Sequence, residues 1–255
     1  MLEPFAYSIA SVFLVSLVSL IGVFTISIKD SVLRKILLYF VSFSAGALLG
    51  DAFLHLLPES ISEMGFVTEI SLAAIFGIVL SLVIEKVIKW RHCHIPVSKE
   101  HPHTFAYMNL FGDGVHNFID GLIIGASYIA SIPTGIATTL AVFFHEIPQE
   151  MGDFGVLIHG GFRKKKALAM NFLTALTAFL GAVTAFILSG MVESITTYLL
   201  AFAAGSFIYI AGTDLIPELH RSNTCEQGFS RTALIQTAFI IFGIAVMYGL
   251  LLFGE

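Results

Sequence analysis

Apolar residues dominate eight stretches of the chain, near 5–28, 36–57, 69–89, 104–129, 134–159, 166–190, 195–219 and 231–253. Each is about as long as a helix must be to cross a hydrocarbon core of ~30 Å. The pattern predicts an all-α membrane protein, a single transmembrane domain over residues 1–255. The fourth and fifth carry polar residues at helical spacing, so they need protein neighbours, not lipid, around one face.

Composition agrees with a bilayer setting. The chain is 56% hydrophobic and 12% charged, with a mean hydropathy of +0.89, about half the charge of a soluble domain. The thirteen lysines and arginines then test the count of spans. Lys29, Arg34 and Lys35 follow the first span; Lys86, Lys89, Arg91 and Lys99 follow the third; Arg163 to Lys166 follow the fifth; Arg221 and Arg231 follow the seventh. All fall on one side of an eight-span arrangement, and the opposite loops carry none. The positive-inside rule predicts basic loops in the cytoplasm and both termini outside, in a cell membrane. The first apolar run precedes its basic cluster, and no small-residue cleavage site stands out, so it is expected to remain as a span. Cys93 and Cys225 both fall in basic loops, where a structural disulfide is not expected. Nothing in the sequence suggests a nucleic-acid partner; the expected partners are the lipid bilayer and a metal ion.

The second and seventh spans resemble one another. "FSAGALLGDAFLHLLPE" from Phe43 and "FAAGSFIYIAGTDLIPE" from Phe202 agree at seven of seventeen positions at an offset of 159, including Pro58-Glu59 and Pro217-Glu218. They are five apart in span number, so they cross in opposite directions. Spans one to three and six to eight are therefore expected to be inverted repeats around spans four and five, a 3+2+3 arrangement of the kind that secondary transporters use.

The chemistry sits in the two central spans. "GDGVHNFIDG" places Asp113, His116, Asn117 and Asp120 within an arc of about 100° on one helix, and "HEIPQEMGDF" does the same for His145, Glu146, Gln149 and Asp153, with Glu150 adjacent. The second motif opens like the HExxH of zinc proteases, but the fifth position is Gln149, and Pro148 interrupts the turn. Each carboxylate in a membrane interior costs roughly 2.5–3.5 kcal/mol, whereas an interhelical hydrogen bond returns ~0.6–2 kcal/mol. Neither span contains a lysine or arginine. The missing positive charge must come from protons or a cation, and imidazole with carboxylate and carboxamide suits a divalent metal, zinc above all. Asp51, His55 and Glu59 continue the polar trail outward on span two; His159, Asp214 and Glu218 continue it inward. A trail favours a permeating ion. A fixed metal with the His-Glu pair as ligand and base, an intramembrane hydrolase, stays open as the alternative.

On "GDAFLHLLPES", "GDGVHNFIDG" and "HEIPQEMGDFGVL", the chain resembles the ZIP (ZRT/IRT-like) family of divalent metal transporters, most closely its His-rich HEIPHE-type subgroup. The resemblance implies an eight-helix bundle, often a homodimer, that moves zinc or possible substitutes such as iron, manganese or cadmium into the cytoplasm without ATP or a bound cofactor. It is not an enzyme by this reading. The resemblance also implies two adjacent metal positions. His116, Asp120, His145 and Gln149 would serve the first; Asn117, Asp120, Glu146 and Gln149 would serve or neighbour the second. Gln149 stands where the subgroup carries His, which exchanges an imidazole for a neutral, weaker oxygen ligand. The loop "RHCHIPVSKEHPH" offers His92, Cys93, His94, His101 and His103 for metal capture, as a solvated linker with chance histidines also would.

Overall fold

The computed structural model describes residues 2–25, 30–93, 103–188, 192–221 and 231–254, with side chains described for 2–24, 37–88, 103–188, 195–220 and 232–251. Among them the secondary structure is entirely helical. Helix α1 (Leu2–Ser16) runs into a 3-10 segment, Leu17–Thr25. Helix α2 (Asp30–Gly50) passes through a π-helical turn, Asp51–Leu56, into α3 (Leu57–Met64), which ends on Gly65 at φ 77°. Next come α4 (Thr68–Cys93), α5 (Thr104–Ala130) and α6 (Ile132–His159). Helices α7 (Lys164–Ala175) and α8 (Thr177–Ile187) follow with only Leu176 between them. Helix α9 (Val192–Tyr209) enters a second π turn, Ile210–Leu215, and continues as α10 (Ile216–Arg221); α11 (Arg231–Gly254) closes the chain.

Six of these rods are long and apolar enough to cross a membrane: Leu2–Phe24, Leu37–Met64, Thr68–Ile88, Lys164–Ile187, Ile195–His220 and Thr232–Leu251. They correspond to the first, second, third, sixth, seventh and eighth stretches of the sequence. The remaining two, α5 and α6, are 27 and 28 residues long and carry the polar motifs. Large apolar side chains cover the outside, as lipid-facing surfaces require: Phe24 and Phe66 are each 81% exposed and Ile187 is 73%. The molecule is an integral, multi-pass membrane protein.

The helices pack in two sets. Helices α1, α5, α6, α7 and α8 lie against one another, while α2 pairs with α11 and α4 with α9. The sets meet where α2 crosses α6 and where α9 meets α5. Contacts within the second set are backbone to backbone. A Cβ on Gly46 would lie 2.1 Å from the carbonyl oxygen of Ile240, and one on Gly243 would lie 2.4 Å from that of Phe43. The α4–α9 pair repeats this reciprocally, with Gly205 at 1.9 Å from Ala74 and Gly77 at 2.1 Å from Phe202. Gly46 and Gly205, like Phe43 and Phe202, are separated by the same offset of 159 that relates the two sequence segments. Small residues are what let membrane helices approach this closely.

The π turns obey the same offset, Asp51 matching Ile210 and Leu56 matching Leu215. Their cause is local. Pro58 and Pro217 have no N–H to give to the carbonyl one turn earlier, and the helix ahead of each slips by one residue. Leu57 donates to the Ala52 carbonyl and Ile216 to that of Ala211, both five residues back. The repeat seen in letters is thus also a repeat of backbone geometry.

Replacing Gly46 or Gly205 by leucine should force the paired helices apart and cost about 1–3 kcal/mol, seen as a lower melting temperature of the detergent-solubilised protein. Gly249, whose Cβ would meet nothing within 4 Å, serves as the control. Its substitution by alanine should leave the melting temperature unchanged or slightly raised, because alanine is the better helix former.

Candidate metal site

Helices α5 and α6 form a hairpin with one residue, Ser131, between them. Ser131 ends α5 in an extended conformation, and its hydroxyl accepts the Thr134 N–H at 3.2 Å to start α6, with Pro133 in the first turn. So short a connection makes the two helices antiparallel neighbours and sets their polar faces against each other. Gly121 and Gly181 seat α5 on α8, each at 1.9 Å (from Ala178 and Phe118 carbonyl oxygens) for a built Cβ. Helix α6 continues through Pro148, which leaves the Phe144 carbonyl without its usual helical donor.

Four side chains converge between the helices. Ligand-capable atoms of His116, Asp120, His145 and Glu146 all lie within 4.8 Å of one another. Asp120 Oδ2 is 3.1 Å from His145 Nε2 and 3.4 Å from His116 Nε2, and Glu146 Oε1 is 3.4 Å from His116 Nε2. The imidazole rings of His116 and His145 are 5.3 Å apart, and Phe207 of α9 covers His116 from the other side at 5.2 Å. Asp51, at the start of the first π turn, brings its carboxylate to 3.8 Å from His116 Nδ1. His116, Asp120, Glu146 and Asp51 are buried, while His145 is 15% exposed. Neither ring nitrogen of His116 has a hydrogen-bond partner, nor do Glu146 Oε1 and Asp51 Oδ2. Buried polar atoms left unpaired at one spot point to a missing ligand. The donor set of two imidazoles and two carboxylates fits a divalent transition metal.

A second group lies one turn along. Asp113, Glu150 and Asp153 bring carboxylate oxygens within 4.8 Å of one another, all buried. Each is held by its own donor. Asn117 Nδ2 donates to Asp113 at 2.7 Å and Thr174 Oγ1 also donates to it; Asn171 Nδ2 donates to Glu150; Asn109 Nδ2 donates to Asp153 at 3.0 Å. Gln149 lines the adjoining cleft with Asp113 and Asp153, and its amide nitrogen has no partner. Asn117 therefore turns its amide toward this group. Asn109, Asn171 and Thr174 were not expected from the sequence. Asn109 could have been found, since it extends the polar face of Asp113, Asn117 and Asp120 by one turn; Asn171 and Thr174 are lone polar residues in an apolar run, and only packing reveals their partners.

The remaining expected residues spread to both ends. His55 Nε2 is 2.9 Å from the Met247 carbonyl of α11, and Glu59 is exposed. Of the three, Asp51 reaches His116 at the centre, and His55 turns to the backbone of α11. At the opposite end, His159 Nε2 is 3.2 Å from Glu218 Oε1, Asp214 occupies the second π turn, and the His103 ring stacks on Phe105, itself 5.8 Å from His159. The side chains of His92 and Cys93, and all of His94 and His101, lie outside the described residues.

Comparison with known proteins bears on this site. A family model described as ZIP Zinc transporter matches residues 2–104 and 92–251. The chain is similar to the zinc transporter zipt-7.1 of Caenorhabditis briggsae, 33% identical over 277 residues that cover 84% of this chain and 70% of that protein. It is also similar to human zinc transporter ZIP10, 36% identical over 66% of this chain and 22% of the relative. With human zinc transporter ZIP4 it shares 47% identity over 44% of this chain and 17% of the relative. The human relatives are thus several times longer than the part that matches. The family and these relatives are transporters, not enzymes, and the hydrolase alternative finds no support among them. The chain belongs to the ZIP zinc transporter family.

Proposed function

We propose that this chain carries divalent transition-metal ions, zinc foremost, across a membrane into the cytoplasm through the site between α5 and α6. One observation carries the reading: four metal-competent side chains meet in the interior of a membrane protein, on two helices that hold no lysine or arginine. In this reading His116, Asp120, His145 and Glu146 hold the ion, and Asp120, which lies against both imidazoles, is the shared ligand. Asn117 and Gln149 flank it. Asp51, with His55 and Glu59 beyond it, forms the outer approach; Asp113, Glu150 and Asp153, then His159, Asp214 and Glu218, form the way out. The His92–His103 loop would meet the ion on the cytoplasmic side.

The 3+2+3 inverted repeat supports this function. The matched π turns and the reciprocal glycine contacts support the repeat. Two helix sets that pack internally and meet around the site suit rocking of one against the other, which would open the site to each side in turn. The basic loops face the cytoplasm and both termini lie outside, in a plasma membrane, with a homodimer as the working assembly.

Sealed vesicles containing the protein should take up zinc, and Asp120→Asn or Glu146→Gln should lower the initial rate at least tenfold while elution on gel filtration is unchanged. Undiminished uptake by both variants would refute the site. The orientation has a separate test in the two native cysteines, Cys93 and Cys225. A membrane-impermeant maleimide should label them in permeabilised cells and leave them unlabelled in intact ones; labelling from outside would invert the topology.

A further inference from the structure

The acidic group beside the imidazole site is built like a binding site in its own right. We propose that Asp113, Glu150 and Asp153 form a second, oxygen-only cation station, one helical turn toward the α6 C-terminus from the histidines, which takes hard divalent ions such as Mn2+ more readily than the first site does.

Four features carry this. The three carboxylates come from different turns of two helices yet meet within 4.8 Å, all buried. No lysine or arginine is present on either helix to hold their charge. Each carboxylate is oriented by a carboxamide: Asn117 on Asp113, Asn171 on Glu150, Asn109 on Asp153. Such donors fix one face of each carboxylate and leave other lone pairs available, and they take up part of the negative charge that one dication would not cancel. Independently, the carboxamide oxygens of Asn117 and Asn171, on side chains 1% and 0% exposed, have no hydrogen-bond partner. Buried acceptor oxygens left unsatisfied beside the carboxylates mark a place where the protein alone does not complete the bonding.

The ligand chemistry separates the two stations. Imidazole suits zinc, whereas carboxylate and carboxamide oxygens suit Mg2+, Ca2+ and Mn2+. Their separation has a further consequence. Sites one turn apart lie about 5.4 Å from each other along the helices, and two dications at that range repel strongly in a low dielectric. An ion at the acidic station would loosen the one at the histidines, which is how adjacent sites let a tightly held ion leave. The relay role rests on the transport reading; the binding site itself does not.

Mn2+ binding to the full chain in detergent, followed by electron paramagnetic resonance, tests the station, with zinc titration calorimetry on the same preparations. Glu150→Gln and Asp153→Asn, examined separately, should each weaken Mn2+ binding at least tenfold and leave zinc affinity within about threefold; retained zinc binding also shows that the variant is folded. His116→Ala with His145→Ala should do the reverse, losing zinc and keeping Mn2+. Absence of Mn2+ binding to the unmodified chain, or its loss in the histidine variant, would overturn the proposal even if no acidic variant folds. Zinc uptake by vesicles alongside failed Mn2+ binding removes the station and leaves transport standing; Mn2+ binding without uptake does the opposite.

Discussion

Anionic side chains enclosed by helices, with no cationic side chain on those helices to balance them, are the constraint around which this molecule is arranged. Asp113, Asp120, Glu146, Glu150 and Asp153 are all buried, and the helices that carry them have no lysine or arginine. In a medium that screens charge poorly, such a cluster is stable only with a cation or protons in it. The surrounding architecture serves that condition. The other helices cover the polar faces of α5 and α6, the hairpin at Ser131 holds those faces together, and Phe207 closes one side of His116. A site that attracts a dication because it lacks counter-charge, and that is assembled by helices from two packing sets, is suited to binding an ion and letting it go.

Prolines and glycines do the shaping. Pro58 and Pro217 each remove one backbone donor, and the helices answer with π turns at matching positions. The first turn delivers Asp51 to His116; the second holds Asp214. Glycines at Gly46, Gly77, Gly205 and Gly243 let four helices touch through their backbones. These devices are irregular in membrane helices only in the sense that they depart from an ideal rod, and they occur where the chain must either approach closely or aim a polar group.

Membership of the ZIP zinc transporter family fits this physical account. The side chain of Gln149 lines a cleft with Asp113 and Asp153. A carboxamide there keeps the acidic group free of imidazole, so the two ligand clusters differ in character: nitrogen and oxygen in one, oxygen in the other.

Much of this was legible in residue order alone. Apolar length set the helices, because a bilayer core demands a minimum run of apolar residues; and helical periodicity put Asp113, His116, Asn117 and Asp120 on one face and His145, Glu146, Gln149 and Asp153 on another. Those are properties of one segment at a time. What packing alone decided is which of these groups meet. The sequence read Asp51, His55 and Glu59 as one outward trail, and packing brings Asp51 to His116 and His55 to the Met247 carbonyl. Nothing in the run around Asn171 and Thr174 announces that they hold Glu150 and Asp113. Side-chain partners across helices depend on crossing geometry and register, which arise from long-range contacts between distant segments, and a local pattern carries no information about them.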